Sequence, residues 1–473
     1  MIYDMVAERN VKRLVETRSS PVQVDGEYLP AGAVLEQQAD MKGLVFIIII
    51  QLIQVHLLEC EQKQTAEKTQ NYAGYSVFRM VPVDDEDLEN LRALLDKEDW
   101  KLDFWKEPTV VNQAVDIMVP PEKIPFMEHY LIDKKIPRTM LMYDVEKYIL
   151  KERMDMAMPS FLTGRDSNAF FTSYKRLDEI HKYLDEIVDR NPNISSIISI
   201  GKSSEGRDLK AIKIGSKSST VSKPAIWIDG GIHAREWISP ATVTYIAHSL
   251  VSEYDGHEDV KELVDYFDWY ILPVVNPDGY VYSHSINRMW RKSRRGMMLF
   301  CRGVDLNRNF AFHWKEGGSS SSPCSETYAG FTAFSEPETK AISDYIFTQK
   351  EKFVAYLAVH SYSQLWLTPW GWTTELPDDY NQMVAVAQEA TKALSEVHGT
   401  QYRIGSSTNV LYKATGGADD WAYGAAGIKY SYTLELRDKG RHGFLLPAEQ
   451  ILPTGEETWA GIKAMAKAIK KQM

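Results

Sequence analysis

Cysteine is scarce in this chain of 473 residues and occurs only as Cys60, Cys301 and Cys324. A structural zinc site closes with four protein ligands, usually including cysteines, so no such site is expected. Nor do three cysteines form the dense framework of a small disulfide-stapled domain. A metal in this protein would have to be held by histidines and carboxylates, and a set of three such ligands would leave one position for water.

A long apolar run that suits a membrane span is also missing. The apolar stretch within residues 41–60 is interrupted by Gln51 and Gln54 and is too short and polar for a span. Counted from Met41, it has the basic start, apolar run and compact exit of a secretory signal. We therefore expect a signal peptide at 41–60, an upstream extension of unknown role at 1–40, and a secreted product without membrane attachment.

Positive charge is in deficit, with 54 Lys and Arg against 65 Asp and Glu and a net charge of −11. This balance favours solubility and argues against a nucleic-acid partner, because basic pairs such as Arg294 and Arg295 are too isolated to form a phosphate-binding stripe. The length allows two or three domains with a large core.

The most informative stretch begins with an apolar run at residues 225–228. Gly230 and Gly231 end this predicted strand, and His233 and Glu236 follow three residues apart. The spacing lets an imidazole and a carboxylate converge on one metal ion at the exit of a strand. Taken alone the signal is weak, because most His-x-x-Glu pairs are solvated helical pairs.

A candidate for the third metal ligand lies far down the chain, at the end of the predicted apolar strand 356–359. This residue is His360. Its plainer interpretation is a core histidine that ends a strand. Together with His233 and Glu236, it completes the three-ligand set of a catalytic zinc site.

Six motifs resemble, in order and spacing, those of the zinc metallocarboxypeptidases of the pancreatic A/B type. They are His233-Ala-Arg-Glu236-Trp, Asn276-Pro-Asp-Gly-Tyr280, Asn287-Arg-Met-Trp-Arg-Lys292, Gly303-Val-Asp-Leu-Asn-Arg-Asn309, His360-Ser-Tyr362 and Thr433-Leu-Glu435-Leu-Arg-Asp438. The resemblance implies a zinc-dependent exopeptidase that acts on peptides with a free C-terminus. It also implies an activation segment ahead of the enzyme.

The alternating strand and helix patterns of residues 72–165 are typical of a small α/β unit. Strand-like patterns occur at 75–82, 115–120 and 139–143, and helical patterns at 84–97, 121–134 and 144–153. The resemblance implies a ferredoxin-like pro-domain with a connecting segment, which covers the cleft until a trypsin-like protease removes it. We expect the cut at Arg165, because loops are readily nicked, with Arg153 as the second choice.

Residues 166–473 alternate helical and strand patterns. The helical patterns lie at 177–189, 240–253, 336–349 and 380–397, and the apolar strands at 196–200, 209–214, 225–228, 269–275, 353–359 and 430–436. This alternation predicts a mostly parallel or mixed sheet covered on both faces. The resemblance implies a single catalytic domain, an α/β/α sandwich around a mixed, mostly parallel twisted sheet.

The resemblance also assigns catalytic roles. Glu435, in an otherwise apolar strand, would take a proton from the attacking water and deliver it to the leaving amine; a buried structural ion pair is the alternative. Arg291 would stabilise the oxyanion together with the metal. Asp305 would orient the first ligand histidine, where the alternative is an ordinary turn residue.

An exopeptidase must recognise a free carboxylate, and a guanidinium does so with two parallel hydrogen bonds. The resemblance gives this role to Arg308, with Asn307 beside it and Tyr412 closing from a mobile loop. It assigns further substrate contacts to Arg235, Ser361 and Tyr362.

Asp419 falls where A-type members carry an apolar residue and B-type members carry aspartate. A desolvated negative charge there would favour C-terminal Lys or Arg, and we expect a B-type preference. If Asp419 is neutralised or points away, an A-type preference for apolar residues follows. A zinc amidohydrolase of small acyl-amino acids, and a binding protein built on an inactive peptidase, are the rival classes.

Cys301 and Cys324 enclose the Gly/Ser-rich loop 317–322, while Cys60 would leave with the signal. One interpretation is a disulfide across the loop, and the other is two buried free thiols. The resemblance implies the disulfide.

Overall fold

The computed structural model describes residues 68–95, 97–157, 169–217, 222–296, 301–349 and 352–473, and the backbone of two short strands nearer the N-terminus. These strands, β1 (Val22–Val24) and β2 (Glu27–Leu29), pair antiparallel within a unit that comprises Met1–Lys68. The expected signal peptide at 41–60 and the expected cut at Arg165 lie outside the described residues. Within the described ranges, no helix is long and apolar enough to cross a membrane.

The small subdomain, residues 72–157, follows the βαββαβ order of a ferredoxin-like fold. Its strands are β3 (Ser76–Met80), β4 (Asp103–Lys106), β5 (Val115–Val119) and β6 (Arg138–Met142), and its helices are α1 (Asp85–Arg92), α2 (Ile124–Asp133) and α3 (Val145–Ala157). Neighbouring strands are antiparallel in the order β4-β5-β3-β6. The ferredoxin-like expectation is confirmed, although β4 was not predicted.

Local sequence explains where α1 begins. Asp84 caps the helix, because its Oδ1 accepts a hydrogen bond from the Asp87 amide at 2.9 Å. The acidic first turn complements the positive end of the helix dipole. Leu88 and Leu91, three residues apart on one face, are buried, and Leu91 packs with Phe78 of β3.

The large subdomain, residues 169–473, contains an eight-stranded mixed sheet in the order β13-β12-β14-β11-β9-β10-β8-β7. The strands are β7 (Ser195–Lys202), β8 (Asp208–Ile214), β9 (Ala225–Gly230), β10 (Asp268–Leu272), β11 (Phe353–Ser361), β12 (Leu365–Thr368), β13 (Arg403–Ser406) and β14 (Tyr430–Leu436). The helices are α4 (Leu177–Arg190), α5 (Ile238–Ser252), α6 (Glu258–Tyr266), α7 (Pro277–Ser285), α8 (Pro337–Thr348), α9 (Tyr380–His398), α10 (Ser407–Val410), α11 (Ala418–Gly424) and α12 (Ile451–Gln472). Strands β14, β11, β9 and β10 are mutually parallel and form its centre.

Helices cover both faces of this sheet, which explains why its central strands are continuous apolar runs. Every residue of β9 is buried. Ile226 and Ile228 pack on the side that carries α4, α5, α9 and α12, whereas Trp227 packs on the opposite side against residues of α8 and α11. The predicted α/β/α sandwich is confirmed.

The parallel strands bring their carboxyl ends to one edge of the sheet. In the register of the sheet, Val359 of β11 lies opposite Gly230 of β9, and His360 lies opposite Glu435 of β14. Side chains that follow these strands therefore meet at one place, as expected for an α/β sheet.

Candidate metal centre and substrate cleft

The three predicted metal ligands converge where β9 and β11 end. His233 and Glu236 lie in the turn between β9 and α5, His360 is the penultimate residue of β11, and all three are buried. The turn passes through Gly231 at a φ of +62°, where an added Cβ would lie 2.8 Å from Cγ of Pro240. One donor atom from each ligand lies within 4.8 Å of the other two.

The donor set fits a zinc ion. Nδ1 of His360 lies 3.2 Å from Nδ1 of His233 and 3.2 Å from Oε2 of Glu236. Nε2 of His233 lies 3.1 Å from Oδ1 of Asp305, while Nδ1 faces the other two ligands and lies 2.7 Å from Oε1 of Glu236, so Nδ1 is the nitrogen placed to bind a metal. Burial opposes the charged form of His360, but Glu236 raises its pKa to about 9.

Asp305 joins the first ligand to Arg291. Its fully buried carboxylate contacts His233 and accepts hydrogen bonds from Nη2 of Arg291 at 2.9 Å and from Nε at 3.2 Å. Burial alone would raise the pKa of Asp305, but the charges of Arg291 and His233 hold that pKa well below its ordinary value. The ionised carboxylate therefore orients both the imidazole and the guanidinium.

Glu435 enters the site from β14, beside His360 in the sheet register. Its side chain is half-buried, and within the described residues its carboxylate has no ion-pair or hydrogen-bond partner. Burial raises the pKa of Glu435 to about 8, while the charges of His360 and Glu236 act in opposite directions. The alternative interpretation of Glu435 as half of a structural ion pair finds no partner in these parts of the chain.

Arg308 and Asn307 are held by hydrogen bonds next to Tyr412. The Arg308 side chain is buried; its Nε donates to the Gly318 carbonyl at 3.1 Å and its Nη1 to the Asn307 carbonyl at 2.9 Å. The guanidinium carbon lies 5.8 Å from the centre of the Tyr412 ring. Oδ1 of Asn307 accepts from the Ala418 amide at 2.9 Å, which connects this segment to the start of α11.

Asp419, in the first turn of α11, is buried with a neutral partner. Its Oδ2 accepts a hydrogen bond from the Ser407 hydroxyl at 3.2 Å. In the described parts of the chain, no lysine, arginine or histidine forms an ion pair with it. The adjacent Asp420 is already bound, because it accepts from the amides of Gly371 and Trp372.

The small subdomain covers the cleft. A cavity of about 730 Å³ is lined by Arg291 and Tyr412 on one side and by Asp103 and Trp105 of β4 on the other. Asp103 pairs with Arg235, whose Nη1 lies 2.8 Å from Oδ2. Two predicted substrate-binding elements, Arg235 and the segment that carries Tyr412, thus face the small subdomain rather than solvent.

Further contacts from the small subdomain engage the same rim. The Tyr362 hydroxyl donates to Oδ2 of Asp116 at 2.7 Å. Oγ1 of Thr109 donates to the Leu411 carbonyl at 2.8 Å, next to Tyr412. The sequence motifs do not indicate these links, because they join distant positions of the chain and one acceptor is a backbone carbonyl.

Two remaining predictions concern Ser361 and the cysteines. The Ser361 amide donates to Oε2 of Glu236 at 3.2 Å, so its backbone supports a metal ligand. Cys301 and Cys324 are bonded to each other, and the disulfide implied by the resemblance is confirmed. The carbonyls at positions 323 and 325, on either side of Cys324, accept hydrogen bonds from Nζ of the buried Lys292 at 2.8 and 2.9 Å.

Comparison with known proteins agrees with this geometry. Residues 180–461 match the zinc carboxypeptidase family, and residues 78–152 match the carboxypeptidase activation peptide. The chain is 50% identical over 302 residues to carboxypeptidase B of Astacus astacus, covering 63% of this chain and 98% of that protein. It is 41% identical over 402 residues to carboxypeptidase A2 of Mus musculus, covering 85% of this chain and 95% of that protein.

Solved structures show the same likeness. The crystal structure of thrombin activatable fibrinolysis inhibitor superposes with a TM-score of 0.77 at 36% identity, covering 84% of this chain and 99% of that one. Carboxypeptidase A from Helicoverpa armigera superposes with a TM-score of 0.76 at 32% identity, covering 84% and 98%. Because the enzyme match spans more than half of the chain and an activation-peptide match precedes it, this protein belongs to the zinc carboxypeptidases and is an exopeptidase that carries its own activation peptide.

Proposed function

We propose that the activated enzyme releases C-terminal Lys and Arg from peptides, and that a trypsin-like protease activates its secreted precursor. The observation that carries the specificity is the environment of Asp419, a buried carboxylate whose side-chain partner is the neutral hydroxyl of Ser407. A substrate cation would compensate this charge, whereas an apolar side chain would leave it desolvated and unpaired. The names of the relatives do not decide the matter, because they include both B and A types.

Zinc held by His233, Glu236 and His360 would polarise the scissile carbonyl and lower the pKa of a water at the open ligand position. The protein's own groups supply the proton transfer. Glu435 accepts a proton from the attacking water and then donates it to the leaving amine nitrogen. The absence of a competing partner for this carboxylate among the described residues supports that assignment.

Two arginines complete the proposed mechanism. Arg291, held by Asp305, donates N–H groups to the carbonyl oxygen as negative charge develops on it. Arg308, fixed through Nε and Nη1, presents the rest of its guanidinium to the terminal carboxylate of the substrate, and Tyr412 closes over it. Arg235 and Tyr362 bind residues upstream of the scissile bond once the small subdomain has left.

The contacts of the small subdomain support latency of the precursor. Asp103 forms an ion pair with Arg235, and Asp116 accepts a hydrogen bond from Tyr362. A peptide segment upstream of the scissile bond therefore cannot reach either residue. The two groups are buried in these contacts. Removal of the small subdomain would open the cleft to peptides.

The test uses trypsin-treated protein and matched peptides that end in Arg, Lys, Phe, Leu or Glu, with and without a zinc chelator. Chelator-sensitive release of Arg and Lys alone is the expected result. Preferential release of Phe or Leu would overturn the specificity and retain the mechanism. The same peptides with untreated precursor test latency, and activity equal to that of the treated protein would contradict it.

A further inference from the structure

Asn276 opens the Asn276-Pro-Asp-Gly-Tyr280 motif, to which the proposed mechanism gives no role. Its side chain is fully buried. Oδ1 accepts from the Gly279 amide at 2.9 Å and so caps α7. Nδ2 donates to two carbonyls, that of Ile232 at 3.2 Å and that of Lys292 at 2.9 Å. An amide is the one neutral side-chain group that can accept on one side and donate twice on the other.

The two carbonyls belong to the segments that carry the site. Ile232 immediately precedes the ligand His233, and Lys292 immediately follows Arg291. The same segments are also linked directly, because the Ala234 amide donates to the Arg291 carbonyl at 3.0 Å. Asn276 therefore fixes the spacing between the metal-binding turn and the main chain of Arg291.

Gly279 makes this link possible. An added Cβ at Gly279 would lie 2.5 Å from Nδ2 of Asn276 and 2.6 Å from the Lys292 carbonyl oxygen. No side chain fits between the amide and its acceptor at these distances, so the close approach requires glycine. The first turn of α7 is thus shaped around the bond from Asn276 to Lys292.

Side-chain and main-chain links act on Arg291 together. Asp305 binds both the Arg291 guanidinium and Nε2 of His233. Asn276 binds the backbone beside each of these two residues. Asp305 holds the side chain of Arg291, whereas its main chain is held by the Ala234 amide and, at the next residue, by Asn276. A displacement of about 1 Å at a reacting group can cost on the order of 100-fold in rate.

We propose that Asn276 is a positioning residue that sets Arg291 against the metal-binding turn. The inference rests on the role proposed above for Arg291. Asn276 touches neither substrate nor metal, and it acts through the two carbonyls. Its loss should therefore lower transition-state stabilisation more than substrate binding, because Arg308 and Asp419 lie on other segments.

The test compares Asn276→Asp and Asn276→Ser in the trypsin-activated enzyme. Both replacements keep an oxygen that can cap α7, and neither can donate to both carbonyls. The expected result is a fall of about 10- to 100-fold in kcat, with little change in KM and with one zinc per chain retained. Affinity for a phosphonate peptide that mimics the tetrahedral transition state should fall in parallel, while inhibition by the released amino acid should not change.

Asp278→Asn is the matched control. Asp278 lies in the same helical turn and is equally buried, but its carboxylate binds Ser203, Ser204, Glu205 and Arg207, away from the metal-binding turn. This variant should lose thermal stability while kcat per zinc-bearing molecule stays within about twofold, since its contacts do not reach Arg291. An equal loss of kcat in Asp278→Asn, unchanged kcat in both Asn276 variants, or misfolding of both would overturn the proposal.

Arg291→Gln separates this inference from the mechanism on which it depends. If Arg291→Gln keeps its kcat, the proposed role of Arg291 is wrong, and the inference falls with it. If Arg291→Gln loses kcat but the Asn276 variants do not, the mechanism stands and the positioning role alone is wrong.

Discussion

Asp419 is a carboxylate that the protein buries without a cation of its own among the described residues, and substrate choice should depend on it. Asp419→Asn keeps the shape and removes the charge. Since loss of one partner of a buried charge pair costs roughly 2–5 kcal/mol, kcat/KM for a C-terminal Arg peptide should fall about 30-fold or more. The matching Leu peptide should be cleaved at least as well as before. Steady-state kinetics on the two peptides measures both values, and an equal fall for both would contradict the assignment.

Glu435 allows a second test at the scale of one residue. Glu435→Gln retains the size of the side chain but cannot accept the proton of the attacking water. We expect kcat to fall about 100- to 10,000-fold, the usual range for loss of a general acid–base group. Metal analysis is the control, because zinc content and KM should remain those of the parent enzyme. A variant with normal zinc and normal kcat would show that another group takes the proton.

Residues whose chemistry lies in their side chains could be found from the sequence. His233, Glu236 and His360 do converge, and Asp305 does contact His233. The role proposed for Asn276 could not be found in this way, because its bonds go to backbone carbonyls of segments 44 and 16 residues away. A carbonyl is present at every position, so such a bond leaves no pattern in the residue types around it.

At the scale of elements, the apolar strands that carry the site were predictable, whereas the shortest strands and the C-terminal helix α12, although it has 22 residues, were not. The apolar runs at 225–228, 353–359 and 430–436 became β9, β11 and β14, the strands that carry the site. Strands β4, β12 and β13 have four residues each, which is too short for a period-2 pattern to stand out. Their pairing is decided by tertiary packing.

The missed strand β4 carries the contact most amenable to testing in the precursor. Asp103→Asn would leave the buried Arg235 without a charged partner and so loosen the small subdomain over the cleft. We expect the uncleaved precursor to hydrolyse a small peptide about tenfold faster than the parent precursor, for a loss of roughly 1.4 kcal/mol or more in the closed state.

Asp133→Asn is the control for this change. Asp133 lies at the end of α2 in the same subdomain and makes only an exposed pair with Lys134 among the described residues. Surface pairs of this kind contribute little, so its precursor should remain as latent as the parent. Equal leakage from both variants, or none from Asp103→Asn, would argue that other contacts close the cleft.

At the scale of the whole molecule, the order of the two subdomains was predictable from the hydrophobic periodicity of the sequence, but the contacts between them were not. Local hydrophobic periodicity indicates where the ferredoxin-like pattern gives way to the alternating helices and strands of the enzyme. The contacts of Asp103 with Arg235 and of Asp116 with Tyr362 join positions more than a hundred residues apart. Without the fold, nothing in the sequence indicates which acidic residue faces which partner.

The connection between the subdomains also bears on where the precursor is cut. Arg153 follows Glu152 within α3, and Glu152 is buried against Arg288, with Oε2 2.6 Å from Nε and Oε1 2.9 Å from Nη2. A protease must unwind this helix and break a buried ion pair to bind Arg153 in an extended form, which is costly. Arg165 lies beyond the end of α3.

Arg165→Gln should therefore slow activation by trypsin at least about tenfold, while Arg153→Gln should leave the activation rate within about twofold. The reason is that cleavage after Arg153 must open a buried ion pair, which costs roughly 1.4 kcal/mol or more. Mass spectrometry of the first cleavage products gives the site directly, and a new N-terminus at Asp166 is expected. A first N-terminus at Met154 would mean that α3 opens before the cut, so that the pair of Glu152 and Arg288 does not protect the connecting helix.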